Sequence, residues 1–228
     1  MSVDQDLIFE TGEGDRWFER NSVALGQAER PDVARRMLGL LDPDYAAEIR
    51  SVCDVGCANG WRLPGVASAL APAARLCGFD ASAAAIADGV ARMPQFDLRQ
   101  GLVDAPPFDE QFDLVIVSFV LHWVDRARLA TAIAKIDGLV RPGGALMIMD
   151  FLPDAPCARA YHHRTDLELY TFKQDYRHSF IGTGVYRELA SLTFPHDAKL
   201  PGAIAPTSSQ DRAVCAWLHK ALNAYPVA

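Results

Sequence analysis

The sequence predicts an α/β fold: a mostly parallel seven-stranded sheet with helices on both faces, completed by an antiparallel C-terminal strand pair. Three observations predict it. Strand-like and helix-like segments alternate from Ile49 to Phe151; a glycine turn separates the first strand from its helix; and two further strand-like segments follow late in the chain. Alternation of this kind implies right-handed crossovers, which build parallel sheets.

The elements follow in order. Two helices are expected ahead of the turn, one through "GDRWFERNSVALGQ" and one through "DVARRMLGLLD", where Val33, Met37, Leu38 and Leu41 recur at helical spacing. "IRSVCDVG" reads as a buried strand. The helix after it places Leu63, Val66, Ala67 and Leu70 on one face, with Pro64 tolerated in its first turn. "RLCGFD" is a second strand, "SAAAIADGVARM" a second helix, and "FDLRQG" a third strand running into the proline-marked loop "LVDAPPFDEQ". "FDLVIVSFVL" is the most strongly patterned strand, and Leu129, Ile133, Ile136 and Val140 mark the next helix, which "RPGG" stops. "ALMIMDF" is a fifth strand. Beyond Leu152 the alternation breaks in the aromatic, histidine-rich "YHHRTDLELYTFKQDYRHSF", which takes no assignment. "YRELASLTF" and "DRAVCAWLHKAL" read as the closing strand pair, with helix an alternative for the second.

Composition narrows the functional classes. With 228 residues, 50% hydrophobic and 22% charged, the chain suits one soluble domain with a full core. A net charge of −7 argues against a nucleic-acid backbone as main partner and favours a small molecule. The acidic N-terminus has no signal-peptide pattern and no apolar run approaches bilayer length, so no membrane partner and a cytoplasmic location are expected, as a monomer or homodimer. Five scattered cysteines read as buried free thiols.

The turn "DVGCANG" carries the chemistry. Gly56 and Gly60 permit a tight turn and close approach of a ligand. A dinucleotide fingerprint needs a glycine where Ala58 stands, so a pyrophosphate is disfavoured. Asp80 closes the second strand about 20 residues after Gly60, where a carboxylate accepts hydrogen bonds from ribose hydroxyls. A ligand with a ribose and a carboxylate but no phosphate meets both conditions, and S-adenosylmethionine is such a ligand.

Four segments in order, "DVGCANG", "GFDAS", "FDLVIVSFVLHWV" and "LVRPGGALMIMDF", resemble class I S-adenosylmethionine-dependent methyltransferases, with their Rossmann-like sheet. The resemblance implies a cofactor site: Asp54 ordering the surroundings of the methionine amino group, Gly56, Cys57 and Gly60 along the methionine moiety, and Asp80 with Ala81 at the ribose. Val103 and Asp104 fall near adenine, although many relatives carry an acid directly after the glycine matching Gly101, where this chain has Leu102. Ser118 to Trp123 match the segment flanking the transferable methyl. His122 there is a candidate base or positioning group, with His162 and His163 as further candidates. The resemblance also implies an N-terminal helical extension or lid over residues 1–48, in which Trp17 and Arg20 are candidates for cofactor contact. A cofactor-binding core over 49–151 and a substrate-side segment with closing strands over 152–228 complete the division.

The implied function is methyl transfer to a small-molecule or carrier-bound acceptor in biosynthesis. Two other readings compete. A nicotinamide-dependent oxidoreductase lacks its middle glycine here, and Tyr170 and Lys173 are one residue too close for a Tyr-x-x-x-Lys pair. A non-catalytic cofactor-binding domain is the other. His162 and His163 invite a metal, but adjacent histidines do not face one centre and no spacing completes a ligand set, so no metal is expected.

Overall fold

A computed structural model describes residues 4–26, 32–197 and 208–222. The central sheet contains β1 (Ser51–Val55), β2 (Arg75–Asp80), β3 (Asp97–Gln100), β4 (Phe112–Ser118), β5 (Val140–Phe151), β8 (Tyr186–Pro195) and β9 (Arg212–Lys220). Their spatial order is β3-β2-β1-β4-β5-β9-β8. The first five are parallel, while β9 runs antiparallel to both β5 and β8. The order reverses between β1 and β4, and ligands of open α/β sheets bind at such a switch point, beyond the carboxyl ends of the strands.

Both faces of the sheet are covered, which is why its strands are continuously apolar. The two-residue period sorts them cleanly. Val52, Leu114, Ile116, Met147 and Trp217 join one core layer with Val33, Met37 and Leu63. Cys53, Val115, Val117, Leu146, Ile148 and Leu218 join the other with Ile136 and Phe180. Among the helices, α2 (Gly14–Leu25), α3 (Val33–Leu38), α6 (Ala83–Arg92) and α7 (Leu129–Leu139) match segments with helical spacing. Asp32 caps α3 by accepting from Ala34 N, and Ser82 caps α6 by accepting from Ala85 N. All five cysteines are free, and all but Cys157 are buried.

Several elements depart from the sequence expectation. The helix after the glycine turn, α5 (Leu63–Ala67), has only five residues. "RPGG" lies inside β5 rather than in a loop: α7 ends at Leu139 and the strand begins at Val140, with Gly143 at φ +75° and a register shift opposite Phe112 and Leu114. The unassigned segment forms a separate antiparallel pair, β6 (Cys157–Ala160) with β7 (Tyr170–Lys173), followed by α8 (Arg177–Ile181). "DRAVCAWLHKAL" takes the strand alternative, because β9 is sandwiched between β5 and β8 and buried on both faces. The sequence between the two closing strands, "PHDAKLPGAIAPTSSQ", reads as a loop, and most of it lies outside the described residues. Two short elements ahead of the sheet, α1 (Gln5–Ile8) and α4 (Pro43–Glu48), were not visible as periodic patterns. No helix among the described residues is long and apolar enough to cross a membrane.

Candidate active site

The turn after β1 is pinned to the end of β2. Gly56 N and Cys57 N both donate to Phe79 O, at 2.8 and 3.0 Å. Gly56 sits at φ +67°, and a Cβ there would stand 2.2 Å from Val120 Cγ2, so the backbone approaches the β4 exit as only glycine permits. Ala58 adopts φ +51° although it is not glycine. Its N–H donates to Asp80 Oδ2 at 2.8 Å, and Ser82 N donates to Asp80 Oδ1 at 2.9 Å. Burial raises the pKa of Asp80 while these backbone donors pull against the rise. A carboxylate oxygen accepts two bonds, so each Asp80 oxygen retains capacity toward a ligand.

A cavity of about 890 Å³ opens over this turn and runs to the β6–β7 pair. From the cofactor candidates it brings together Gly56, Asp80, Ala81, Val103, Asp104 and Ser118, and from the N-terminal helix Trp17 and Arg20. His122, His162 and His163 also line it. Both non-glycine residues with left-handed backbone among the described residues, Ala58 and Phe119 (φ +56°), stand in its wall. Such conformations persist only where surrounding structure fixes them, and they cluster at binding sites.

Asp54, Cys57 and Gly60 stand outside the cavity wall. The Cys57 side chain lies over Gly78, where an added Cβ would meet its Sγ at 2.9 Å, and burial drives its thiol well above the usual pKa. Gly60, at φ +74°, clears the side chains of Leu98 and Met93. Asp54 is fully buried and pairs with Arg62 Nη1 at 3.0 and 3.1 Å. Arg62, which sequence reasoning passed over, reaches Ser118 Oγ at 2.8 Å and Asp32 at 3.3 Å, and itself lines the cavity. Asp54 thereby adjoins the cavity wall through a guanidinium. A signal was present: Arg62 is the single basic residue between Ser51 and Ala74.

On the other side of the switch point, the chain leaves β4 at Ser118, turns left-handed at Phe119, and presents His122. The imidazole is buried, and its Nδ1 lies 2.9 Å from Asp150 Oδ1 near the end of β5. Asp150 also accepts from Phe151 N at 2.8 Å and from His122 N at 3.3 Å, so the carboxylate is fixed on three sides. An ionised carboxylate at Nδ1 holds the tautomer with Nδ1–H and leaves Nε2 as an acceptor. Asp150 was also missed, although it stands one residue from the end of an apolar strand, much as Asp80 ends β2. His162 and His163 are exposed on the turn of the β6–β7 pair, their rings 3.9 Å apart. Desolvation, His162 and Arg20 hold the pKa of His163 below the ordinary histidine value.

The N-terminal helices border the cavity through specific bonds. Gln5 donates to the carbonyls of Trp123 and Tyr170 and accepts from Tyr170 N. Arg20 donates to Glu13 and to the Tyr161 hydroxyl. Asp15 accepts from Ser82 Oγ and Ala84 N, which fixes α2 beside the Asp80 turn. Arg128 bridges Asp4 and Asp104 at 2.8 Å each, tying the loop after β3 to the N-terminus.

S-Adenosylmethionine fits this donor set. The wall near the turn carries the carboxylates of Asp6, Asp80 and Asp104, which suit hydroxyl and amino donors and repel a pyrophosphate, while Arg62, paired with Asp54 and Asp32, has one Nη2 N–H left beyond its bond to Ser118. Comparisons agree. Residues 52–144 match the family model described as a methyltransferase domain. An N-methyltransferase, NodS, from Bradyrhizobium japonicum in complex with S-adenosyl-L-homocysteine superposes with a TM-score of 0.58 at 18% identity, over 90% of this chain and 97% of that one. A Burkholderia thailandensis 1,6-didemethyltoxoflavin-N1-methyltransferase, with that compound and S-adenosylhomocysteine bound, gives 0.67 at 13% identity, over 97% and 92%. In sequence, an uncharacterized methyltransferase of Synechocystis is 32% identical over 102 residues, 44% of this chain and 47% of that protein. The chain thus spans about half the length of this curated relative. Residues 52–144 thus resemble a methyltransferase domain in sequence, and the chain shares the fold of these S-adenosylhomocysteine-bound methyltransferase structures.

Proposed function

We propose that the protein transfers a methyl group from S-adenosylmethionine to a small-molecule or carrier-bound acceptor in a cytoplasmic biosynthetic pathway. The observation that carries this reading is the continuity of one cavity, from Asp80 at the turn to the His122–Asp150 pair. Its volume of about 890 Å³ suits a cofactor and a small acceptor together. The Burkholderia neighbour, with two small molecules bound, supports the same class of acceptor.

The bound cofactor supplies a methyl carbon on a sulfonium, whose carbon–sulfur bonding pair leaves with the sulfur. The protein's part is to hold, align and dry the reactants. Asp80 accepts from the ribose, and Arg62, held by Asp54 and Asp32, takes the methionine carboxylate. The helices α1 and α2 serve as the lid, with the bonds of Gln5 and Arg20 closing them over the cavity, while α3 packs into the core. When the acceptor is a hydroxyl, its proton passes to His122 Nε2 as oxygen bonds to the methyl carbon, and Asp150 stabilises the resulting imidazolium. His162 and His163 border the acceptor at the outer end.

Calorimetry tests the reading. The protein should bind S-adenosylhomocysteine and show no heat with nicotinamide dinucleotides. Asp80→Ala should weaken S-adenosylhomocysteine binding by about 10-fold or more, the worth of hydrogen bonds to a charged acceptor. Unchanged affinity in the folded variant would remove Asp80 from the ribose.

A further inference from the structure

We infer that the methyl acceptor is a small carboxylic acid, its carboxylate held by Lys173 and Arg159 beside the ring of Phe151. This rests on the methyltransferase reading above and names its substrate class.

The cavity separates charge by sign along its length. Its three carboxylates, Asp6, Asp80 and Asp104, come from α1, the end of β2 and the loop after β3. Residues 151–196 contribute no acid to its described wall, but they contribute Arg159, Lys173 and three histidines. The positive end is built by the β6–β7 pair. Arg159 is paired in register with Thr171, and Lys173 follows two residues along, so period two puts all three on one face, which lines the cavity.

Neither cation has a carboxylate within hydrogen-bond distance among the described residues. Lys173 is 8% exposed, donates to the neutral carbonyl of Gln210 at 2.8 Å, and rests 3.7 Å from the centroid of Phe151. Its nearest carboxylate, Asp211, is 3.9 Å away and half-exposed, while Asp150 is committed to His122. Desolvation pulls the pKa of Lys173 below its ordinary value, Asp211 opposes the fall and Arg159 adds to it. The Arg159 guanidinium, exposed at the mouth, has no hydrogen bond or ion pair among the described residues, whereas Arg20 is engaged by Glu13. Burying an ammonium beside a second cation is costly unless an anion joins them.

Phe151 ties this anion site to the chemistry. Its ring lies 5.0 Å from that of His122 and 4.8 Å from that of His196, besides the contact with Lys173. The ammonium and the imidazole therefore reach two ends of one small molecule. Phe119 and Trp123 add flat apolar walls at the same place. A hydroxylated aromatic acid suits this arrangement, its carboxylate at Lys173 and its hydroxyl at His122.

The test uses the full chain saturated with S-adenosylhomocysteine, titrated with 2-, 3- and 4-hydroxybenzoate, their carboxamides, and phenyl phosphate. At least one acid should bind about 10-fold tighter than its carboxamide, as a charge-assisted pair requires. Lys173→Met should reduce that ratio to about threefold or less, and Arg159→Ala should lower it, both with unchanged S-adenosylhomocysteine affinity. Arg159 is exposed, so its variant keeps the test decisive should Lys173→Met fail to fold. Equal binding of acids and carboxamides, no binding by any acid, a preference untouched by the folded variants, or phenyl phosphate binding tighter than every acid would each overturn the assignment. Failure to bind S-adenosylhomocysteine at all is a separate result, and it would strike the methyltransferase reading instead.

Discussion

Gly56→Ala isolates what the turn requires of its sequence. At φ +67° an alanine incurs the left-handed penalty of about 1–2 kcal/mol. The added methyl also stands 2.2 Å from Val120 Cγ2, an overlap that must be relieved by turning the Val120 side chain or by moving the turn or the β4 exit. Overpacking of this kind costs about 1–3 kcal/mol. Together the two effects predict a loss of about 2–5 kcal/mol, or roughly 5–20 °C in Tm for a chain of this size. Val120→Ala removes the offending methyl and leaves the backbone angle unchanged, so the two contributions separate in a double-mutant cycle. Urea unfolding of the wild type, both single variants and the double variant should show Gly56→Ala costing about 1–3 kcal/mol less in the Val120→Ala background. An equal cost in both backgrounds would refute the close approach as the reason for glycine at this position.

Two further predictions concern the buried acids flanking the site. Asp150→Asn preserves shape and can keep an amide oxygen on His122 Nδ1 and Phe151 N, but it removes the negative charge that would stabilise an imidazolium. Turnover on a hydroxyl acceptor should fall by about 100-fold or more with S-adenosylhomocysteine affinity intact, and unchanged turnover in the folded variant would dismiss the pair. Asp54 gives a pH signature. Burial pushes its carboxyl up to about 6, against the pull of Arg62 and with Asp32 adding to the rise. Between about pH 4 and 6 the folded state therefore binds a proton that the unfolded state has lost, so this group's contribution to stability falls as pH rises through that window and is level above it. The displacement from the ordinary carboxyl value corresponds to about 3 kcal/mol. Asp54→Asn should abolish most of this slope in urea unfolding at pH 4.5 and 7, and parallel slopes in the two proteins would refute the assignment.

What was legible in the sequence follows from how far apart the cooperating residues lie. The sheet was readable because its strands are buried on both faces, so each announces itself as an apolar run independent of its neighbours. The turn was readable for a similar reason: Gly56, Ala58 and Gly60 are adjacent, and Asp80 lies one strand-helix-strand unit away. The β6–β7 pair was not, because "CARA" and "YTFK" are short, half-exposed and mixed in polarity, and only their pairing makes them strands. Arg62 and Asp150 went unrecognised for a sharper reason. A buried charge has meaning only through its partner, and the partner of Asp150 lies 28 positions away in the chain. Register supplies the missing information. Pairing of Ser118 with Met149 brings the residue after the end of β4 beside Asp150, which is still within β5, so the left-handed turn at Phe119 swings His122 onto Asp150. The same reasoning applies to Lys173, an unremarkable basic residue in the sequence. Its two-residue spacing from Thr171, opposite Arg159, turns it into the inner half of a cationic face directed at the cavity. Residues that build a binding site thus become legible once strand register is known, whereas those that build the sheet are legible before it.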